Sequence, residues 1–146
     1  MKKRVALVTG VLGGIGKTIA SELSTNGVKV IITDFPGEDL DKTSFDLGLV
    51  AIGADLGRES SVASLMEDLR LEVGAIDILV SAAGGVCRQT GKPITEVSEH
   101  DWREIFAANL DSVFFLTRHI GPMMTANGWG RIVTISSGAG LRQQQF

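Results

Sequence analysis

The residues best suited to chemistry lie near the amino terminus, in the run Thr9-Gly10-Val11-Leu12-Gly13-Gly14-Ile15-Gly16. It follows a short apolar segment and leads into a helical pattern. Glycines at such a strand-to-helix junction let the backbone turn tightly, and they let an anion approach the free N–H groups at the positive end of the helix. A bare structural turn would need fewer glycines, so phosphate binding is the stronger reading. Two phosphate sites compete for it. A P-loop of a nucleotide hydrolase requires a glycine, four residues and then Gly-Lys-Thr. Gly16-Lys17-Thr18 supplies the end of that motif, but Val11 stands where its first glycine belongs. A dinucleotide site instead requires an acid closing the second strand, and Asp34 lies 18 positions after Gly16. A carboxylate there accepts both ribose hydroxyls of an adenosine and repels a 2′-phosphate, which favours NAD over NADP. Asp34 alone could equally be a strand-end acid.

Other candidates each carry a plainer alternative. Asn109 falls on the apolar side of a helical pattern, where an unpaired amide would cost ~1–3 kcal/mol, so it is either a satisfied core residue or part of a site. Ser136 and Ser137 end an apolar run and could simply cap it. Asp55 precedes Gly57 and could be a helix-capping acid. His100, His119 and Cys87 read as ordinary helix and loop residues, and no metal site is expected.

Short apolar runs alternate with amphipathic stretches, the pattern of a parallel sheet covered by helices on both faces. Strands are predicted at Arg4 to Val8, Val28 to Thr33, Leu49 to Gly53, Ile76 to Ser81 and Arg131 to Ile135. A helix from Ile15 to Thr25 turns Ile19, Ala20 and Leu23 inward and stops at Asn26-Gly27. Another, Ser61 to Glu72, repeats Val62, Leu65, Met66 and Leu69 at helical spacing. A short helical piece is possible at Glu38 to Lys42. The longest helix starts at Ser98 with a capping-box-like Ser-Glu-His-Asp. Its expected inner face is Trp102, Ile105, Phe106, Asn109, Val113 and Phe114, leaving Phe115 and Leu116 off the core side, and Gly121-Pro122 should end or kink it. Residues Gly84 to Val97 form a polar loop long enough to suspect function.

With 146 residues the chain is expected to form one domain. Its 44% hydrophobic and 21% charged residues are those of a globular protein, and glycine, at 18 residues, is well above average use. A net charge of −3 argues against a nucleic-acid or membrane-surface partner. No run approaches a membrane span. The start, Met1-Lys-Lys-Arg before Val5-Ala-Leu-Val, is faintly like a signal peptide, but Thr9-Gly10 and the glycines after it break the apolar run, so a buried first strand is expected. A single cysteine, Cys87, excludes an internal disulfide and fits a cytoplasmic setting.

Taken together, these landmarks resemble the short-chain dehydrogenase/reductase family. Thr-Gly-x-x-x-Gly-Ile-Gly at Thr9 to Gly16 is similar to its fingerprint. Asp55-Leu56 resembles its adenine-contacting pair. Ser81-Ala82-Ala83-Gly84 stands where the family has Asn-Asn-Ala-Gly, with both asparagines replaced. Asp101-Trp102, Asn109-Leu110 and Gly130-Arg-Ile-Val-Thr-Ile-Ser-Ser137 complete the ordered set. The resemblance implies a three-layer α/β Rossmann fold with strand order 3-2-1-4-5. It implies an NAD site at Gly10, Leu12, Gly13, Gly14, Ile15, Gly16, Asp34, Phe35, Asp55, Leu56, Ala82, Ala83 and Gly84. It also implies catalytic roles for Asn109 and Ser137, and pairing of the long helix across a two-fold axis in a dimer or tetramer.

The family's proton donor is a tyrosine beyond the serine, with a lysine one helical turn later, in Tyr-x-x-x-Lys. The sequence here holds no tyrosine and ends at Phe146. The expectation is therefore a truncated relative of an NAD-dependent oxidoreductase that binds nucleotide without turnover. Two alternatives stand beside it: an active oxidoreductase using a substitute acid or a partner chain, and a P-loop-like hydrolase, which the glycine frame opposes. An unpaired fifth strand should add to self-association.

Overall fold

The computed structural model describes residues 3–138 and Leu141, so Phe146 and the glutamines at 143–145 lie outside the described residues. Five parallel strands form one sheet: β1 (Val5–Thr9), β2 (Lys29–Thr33), β3 (Val50–Ala51), β4 (Ile78–Ser81) and β5 (Arg131–Thr134). Their order is β3-β2-β1-β4-β5, as the sequence predicts. Val8 lies beside Ile32 on one side and Val80 on the other. Every residue of β1 is buried, because helices cover both faces. Its side chains alternate between two cores. Val5 and Leu7 join Leu65, Leu69, Leu116 and Ile120 on one face, whereas Ala6 and Val8 join Ala20, Val30 and Leu40 on the other.

The helices are α1 (Gly14–Thr25), α2 (Glu38–Leu47), α3 (Glu59–Val73), α4 (Glu99–Phe106) and α5 (Ser112–Ala126). Among the described residues, no helix is long and apolar enough to cross a membrane. Helix α2 is twice the predicted length, because Leu40 and Thr43 bury against the sheet and Gly48, at φ +62, ends it. The third strand shrinks to Val50–Ala51, since it lies at the sheet edge and pairs only with β2.

The long helix departs most from expectation. Residues Ala107–Asp111 form a single π-helical turn between α4 and α5. Such a turn bonds i to i+5 and inserts one residue, which rotates everything after it relative to an uninterrupted helix. The buried set of α5 is therefore Ser112, Leu116, Ile120 and Met124. Leu116, expected off the core, is 1% exposed, and Phe115 packs against the same core. Conversely, Trp102, Phe106, Leu110 and Phe114 are 40–57% exposed and follow one another at four-residue intervals along the outer face. Pro122 does not end the helix, which continues to Ala126.

Candidate functional site

The carboxyl ends of β1, β2 and β4 open into a cleft of about 900 Å³. In an open parallel sheet with this order, ligands bind at that position. Gly10, Leu12 and Gly13 form its floor, Asp34 and Phe35 one end, Asp55 to Arg58 one wall, and Ala82 to Gly85 with Cys87 and Arg88 another. His100, Arg103, Glu104, Ala107 and Ala108 close it from α4 and the π turn.

Local chemistry explains the floor. Gly10 has φ +71, and a Cβ there would lie 2.5 Å from the backbone of Ala82 and Ala83. A Cβ on Gly16 would collide with the Gly10 carbonyl. The turn closes by a Gly13 N–H bond to Gly10 O of 3.1 Å, and α1 then begins with no side-chain cap. Its first-turn N–H groups thus have no side-chain acceptor. Buried Thr9 ties this floor to β4, because its Oγ1 accepts the N–H groups of Ala82 (3.1 Å) and Ala83 (3.0 Å). That bond pair holds the β4 terminus although neither residue at positions 81 and 82 is asparagine.

Asp34 is fixed by two backbone donors. Its Oδ2 accepts the Leu12 N–H at 2.9 Å and its Oδ1 accepts the Phe35 N–H at 2.8 Å. Each carboxylate oxygen keeps a further lone pair for a ligand. Phe35 stands beside it, 61% exposed. The Asp55 carboxylate is spent on its own turn: Oδ1 accepts the Gly57 N–H and Oδ2 pairs with Arg58 Nε at 2.9 Å. Leu56 is buried in the core while lining the cleft.

Asn109 does not sit on an apolar face. It is exposed, within the π turn, and its amide is used fully as a donor: Nδ2 donates to Gly85 O and to Ile105 O, both at 2.7 Å. Its Oδ1 accepts the Gly85 N–H at 2.9 Å. The asparagine thus reaches back one turn to the Ile105 carbonyl and staples the loop after β4 to the π turn. Gly14 and Ile15 face a shallow hollow with Thr18 and Ile19, outside the cleft, and Gly16 is buried behind the floor. Ser136 and Ser137 are exposed after β5 and are not among the residues lining the cleft. Lys17 and Thr18 are also absent from the cleft lining, so the P-loop frame gains no support.

Several lining residues carry no sequence signal, chiefly Arg58, Arg88 and Arg103, and His100, expected to be an ordinary helix residue, lines the cleft with them. They come from three separate segments, and only the fold brings them together. Asp101, next to them, is a hub. It accepts from Gln89 Nε2 (2.9 Å) and Lys92 Nζ (3.1 Å), and it completes a capping box with Ser98. The Ser98 hydroxyl first, and then Lys92, lower its carboxyl from 3.8 to about 2. Burial and then the Glu104 carboxylate push the Cys87 thiol up, which argues against a reactive thiolate.

Comparison with known proteins bears on what this cleft serves. A 3-oxoacyl-[acyl-carrier-protein] reductase of Aquifex aeolicus is 36% identical across 97% of this chain and 58% of its own length. An acetoacetyl-CoA reductase of Allochromatium vinosum is 34% identical across 97% and 59%. A solved structure from Brucella melitensis, described as a ribose-5-phosphate isomerase, superposes with a TM-score of 0.87 at 30% identity, covering 96% of this chain and 54% of that one. The chain thus spans little more than half the length of these relatives. A family profile described as short chain dehydrogenase matches residues 4–146, and with the strand order, the glycine floor and the π turn in place, the chain belongs to that family.

Proposed function

We propose that this chain is the NAD-binding part, as a single dinucleotide-binding domain, of an oxidoreductase that interconverts carbonyls and alcohols. The observation that carries the proposal is Asp34, held by Leu12 and Phe35 N–H bonds at 2.9 and 2.8 Å beside the glycine floor. Two further features suit a dinucleotide. Gly10 and Gly16 let the turn pack against Ala82, Ala83 and its own backbone, where a Cβ would strike, and that tight turn forms the floor for a pyrophosphate. Helix α1 is uncapped by any side chain, leaving Gly14, Ile15 and Gly16 to present N–H groups. Phe35, Asp55, Leu56, Ala82, Ala83 and Gly84 complete the walls. When bound, the nicotinamide ring supplies or accepts the hydride.

The chain's own residues supply orientation and polarity. Ser137, following β5 beside β4, donates a hydrogen bond to the substrate oxygen, and Asn109 positions Gly84-Gly85 at the same end. A positioned acid contributes ~10²–10⁴-fold to such a reaction. None of the 146 residues is a tyrosine, so by themselves they bind nucleotide with negligible turnover. The exposed line Trp102, Phe106, Leu110 and Phe114 is the surface through which copies of the chain associate into a dimer or tetramer. A reducing, cytoplasmic setting suits the single cysteine.

Asp34 also sets the choice of nucleotide, since a 2′-phosphate would meet its charge. Arg58, the cleft arginine on the wall that follows β3, is engaged by Asp55 at 2.9 Å. Competition titrations should show NADH binding more tightly than NADPH, with the gap narrowing in Asp34→Ser. Equal or reversed affinities in the unaltered chain would overturn the NAD assignment.

A further inference from the structure

Three arginines line the cleft, and two of them are occupied. Arg58 pairs with Asp55 at 2.9 Å, and Arg103 with Glu99 at 3.1 Å. Among the described residues, Arg88 has no carboxylate partner and no side-chain hydrogen bond, and it is exposed to the cleft. It therefore contributes nothing visible to the fold.

Its backbone is also disfavoured. Gln89 N–H donates to Val86 O at 2.8 Å, closing a tight turn whose two central residues, Cys87 and Arg88, have φ of +46° and +65°. Glycine or asparagine suits such positions, whereas a long side chain there persists only when its surroundings hold it. Here they do. Gln89 Nε2 donates to Cys87 O at 3.1 Å and to Asp101 Oδ1 at 2.9 Å, and Lys92 is drawn to the same carboxylate. The turn is thus fastened to α4 and presents one uncommitted guanidinium to the cleft.

Sheet order fixes where the segment that carries that guanidinium begins. Asp34 follows β2 and Arg88 follows β4, with β1 and its glycine floor between them. Strand ends two apart are separated by roughly 10 Å. Arg88 is carried on the loop that leaves β4, two strands from Asp34, and its turn is fastened to Asp101 of α4 rather than to the Asp34 end of the cleft. A pyrophosphate over the glycine floor would lie between the two.

We propose that Arg88 is a specificity-determining residue that recognises a carboxylate or phosphate on the substrate, an inference that rests on the dinucleotide reading above. A guanidinium fork engages either group through two parallel N–H bonds. The shared chemistry is an anionic oxygen pair at a fixed distance from the reacting carbonyl.

The test uses the chain saturated with NADH and two matched probe pairs, pyruvate against acetone and glyceraldehyde 3-phosphate against glyceraldehyde. Binding is read by saturation-transfer NMR. The anionic probes should bind about tenfold more tightly than the neutral ones, the low end for a charge-assisted pair. The stronger of the two anionic probes identifies the preferred group. Arg88→Gln should erase the difference with NADH affinity unchanged. Arg88→Gly should erase it too, and it should melt no lower than the parent because glycine relaxes the turn. A wild-type chain with no anion preference, or a preference surviving both variants, would overturn the proposal. So would a loss of NADH affinity equal to the loss of anion binding, which would assign Arg88 to the pyrophosphate. If the unaltered chain failed to bind NADH, the dinucleotide reading itself would fall and this inference with it. NADH binding without anion preference overturns this inference alone.

Discussion

Replacing Gly10 by alanine should separate the two strands that frame the cleft. The added Cβ would lie 2.5 Å from the carbonyl carbon and oxygen of Ala82 and the nitrogen of Ala83, where ordinary contact begins at 3.4 Å. Backbone must therefore move by about 1 Å, and the atoms in the way are those held by Thr9 Oγ1 at 3.1 and 3.0 Å. Losing those two hydrogen bonds costs ~0.5–1.5 kcal/mol each. The left-handed backbone of Gly10, at φ +71, adds ~1–2 kcal/mol for a residue with a Cβ. The sum is about 3 kcal/mol, a large part of a typical total of ~5–15 kcal/mol. Urea denaturation should show the midpoint falling by roughly 1–3 M, given slopes of ~1–3 kcal/mol/M. Gly14→Ala is the internal control, because a Cβ there meets nothing within 4 Å and the residue opens α1. It should be neutral or stabilising by up to ~1 kcal/mol. A Gly10→Ala chain within about 0.5 kcal/mol of the parent, below the expected cost of the lost bonds, or a Gly14→Ala chain equally destabilised, would refute the reasoning.

Asp101 titrates at about 2 rather than 3.8, so its clamp on Gln89 and Lys92 is complete above the unperturbed value and is lost as pH falls toward 2. Amide shifts of Gln89 and Lys92 should move over that window, and Asp101→Asn should flatten the response. Asn109→Ala removes three hydrogen bonds at the π turn and should cost about 1.5–4.5 kcal/mol, with faster amide exchange at Gly85; unchanged exchange there would show that the staple is dispensable. Phe106→Glu with Phe114→Glu places charge in the exposed aromatic line, where both rings are at least 40% accessible. Sedimentation should show self-association in the parent and its loss in the double variant.

Much of the cleft was legible because its signals are local. A strand feeding spaced glycines, an acid closing the next strand, and Ser98 three residues before Asp101 each need only neighbours in sequence. The helix from Ser98 onward shows the limit. Its apolar positions follow one period from Trp102 to Phe114, and the π turn at Ala107–Asp111 breaks that period without any composition cue. Leu116 was misplaced for that reason alone. Asn109 marks the break, but its meaning depends on Gly85, 24 positions away. Arg58, Arg88 and Arg103 had no shared sequence signal, since the sheet order is what sets them around one cleft. The length of α2 was missed because its mean polarity hides two buried contacts, Leu40 and Thr43.

The central claim is that a dinucleotide lies across this glycine floor with its adenosine ribose at Asp34. Titrating the isotope-labelled chain with NADH and following backbone amides tests it directly. Saturable shifts at Leu12, Gly13, Gly14, Ile15, Gly16, Phe35 and Gly84, with the carboxyl end of α5 unmoved, are the expected result. No saturable shift, or shifts confined to the outer face of α1 around Thr18 and Ile19, would contradict it.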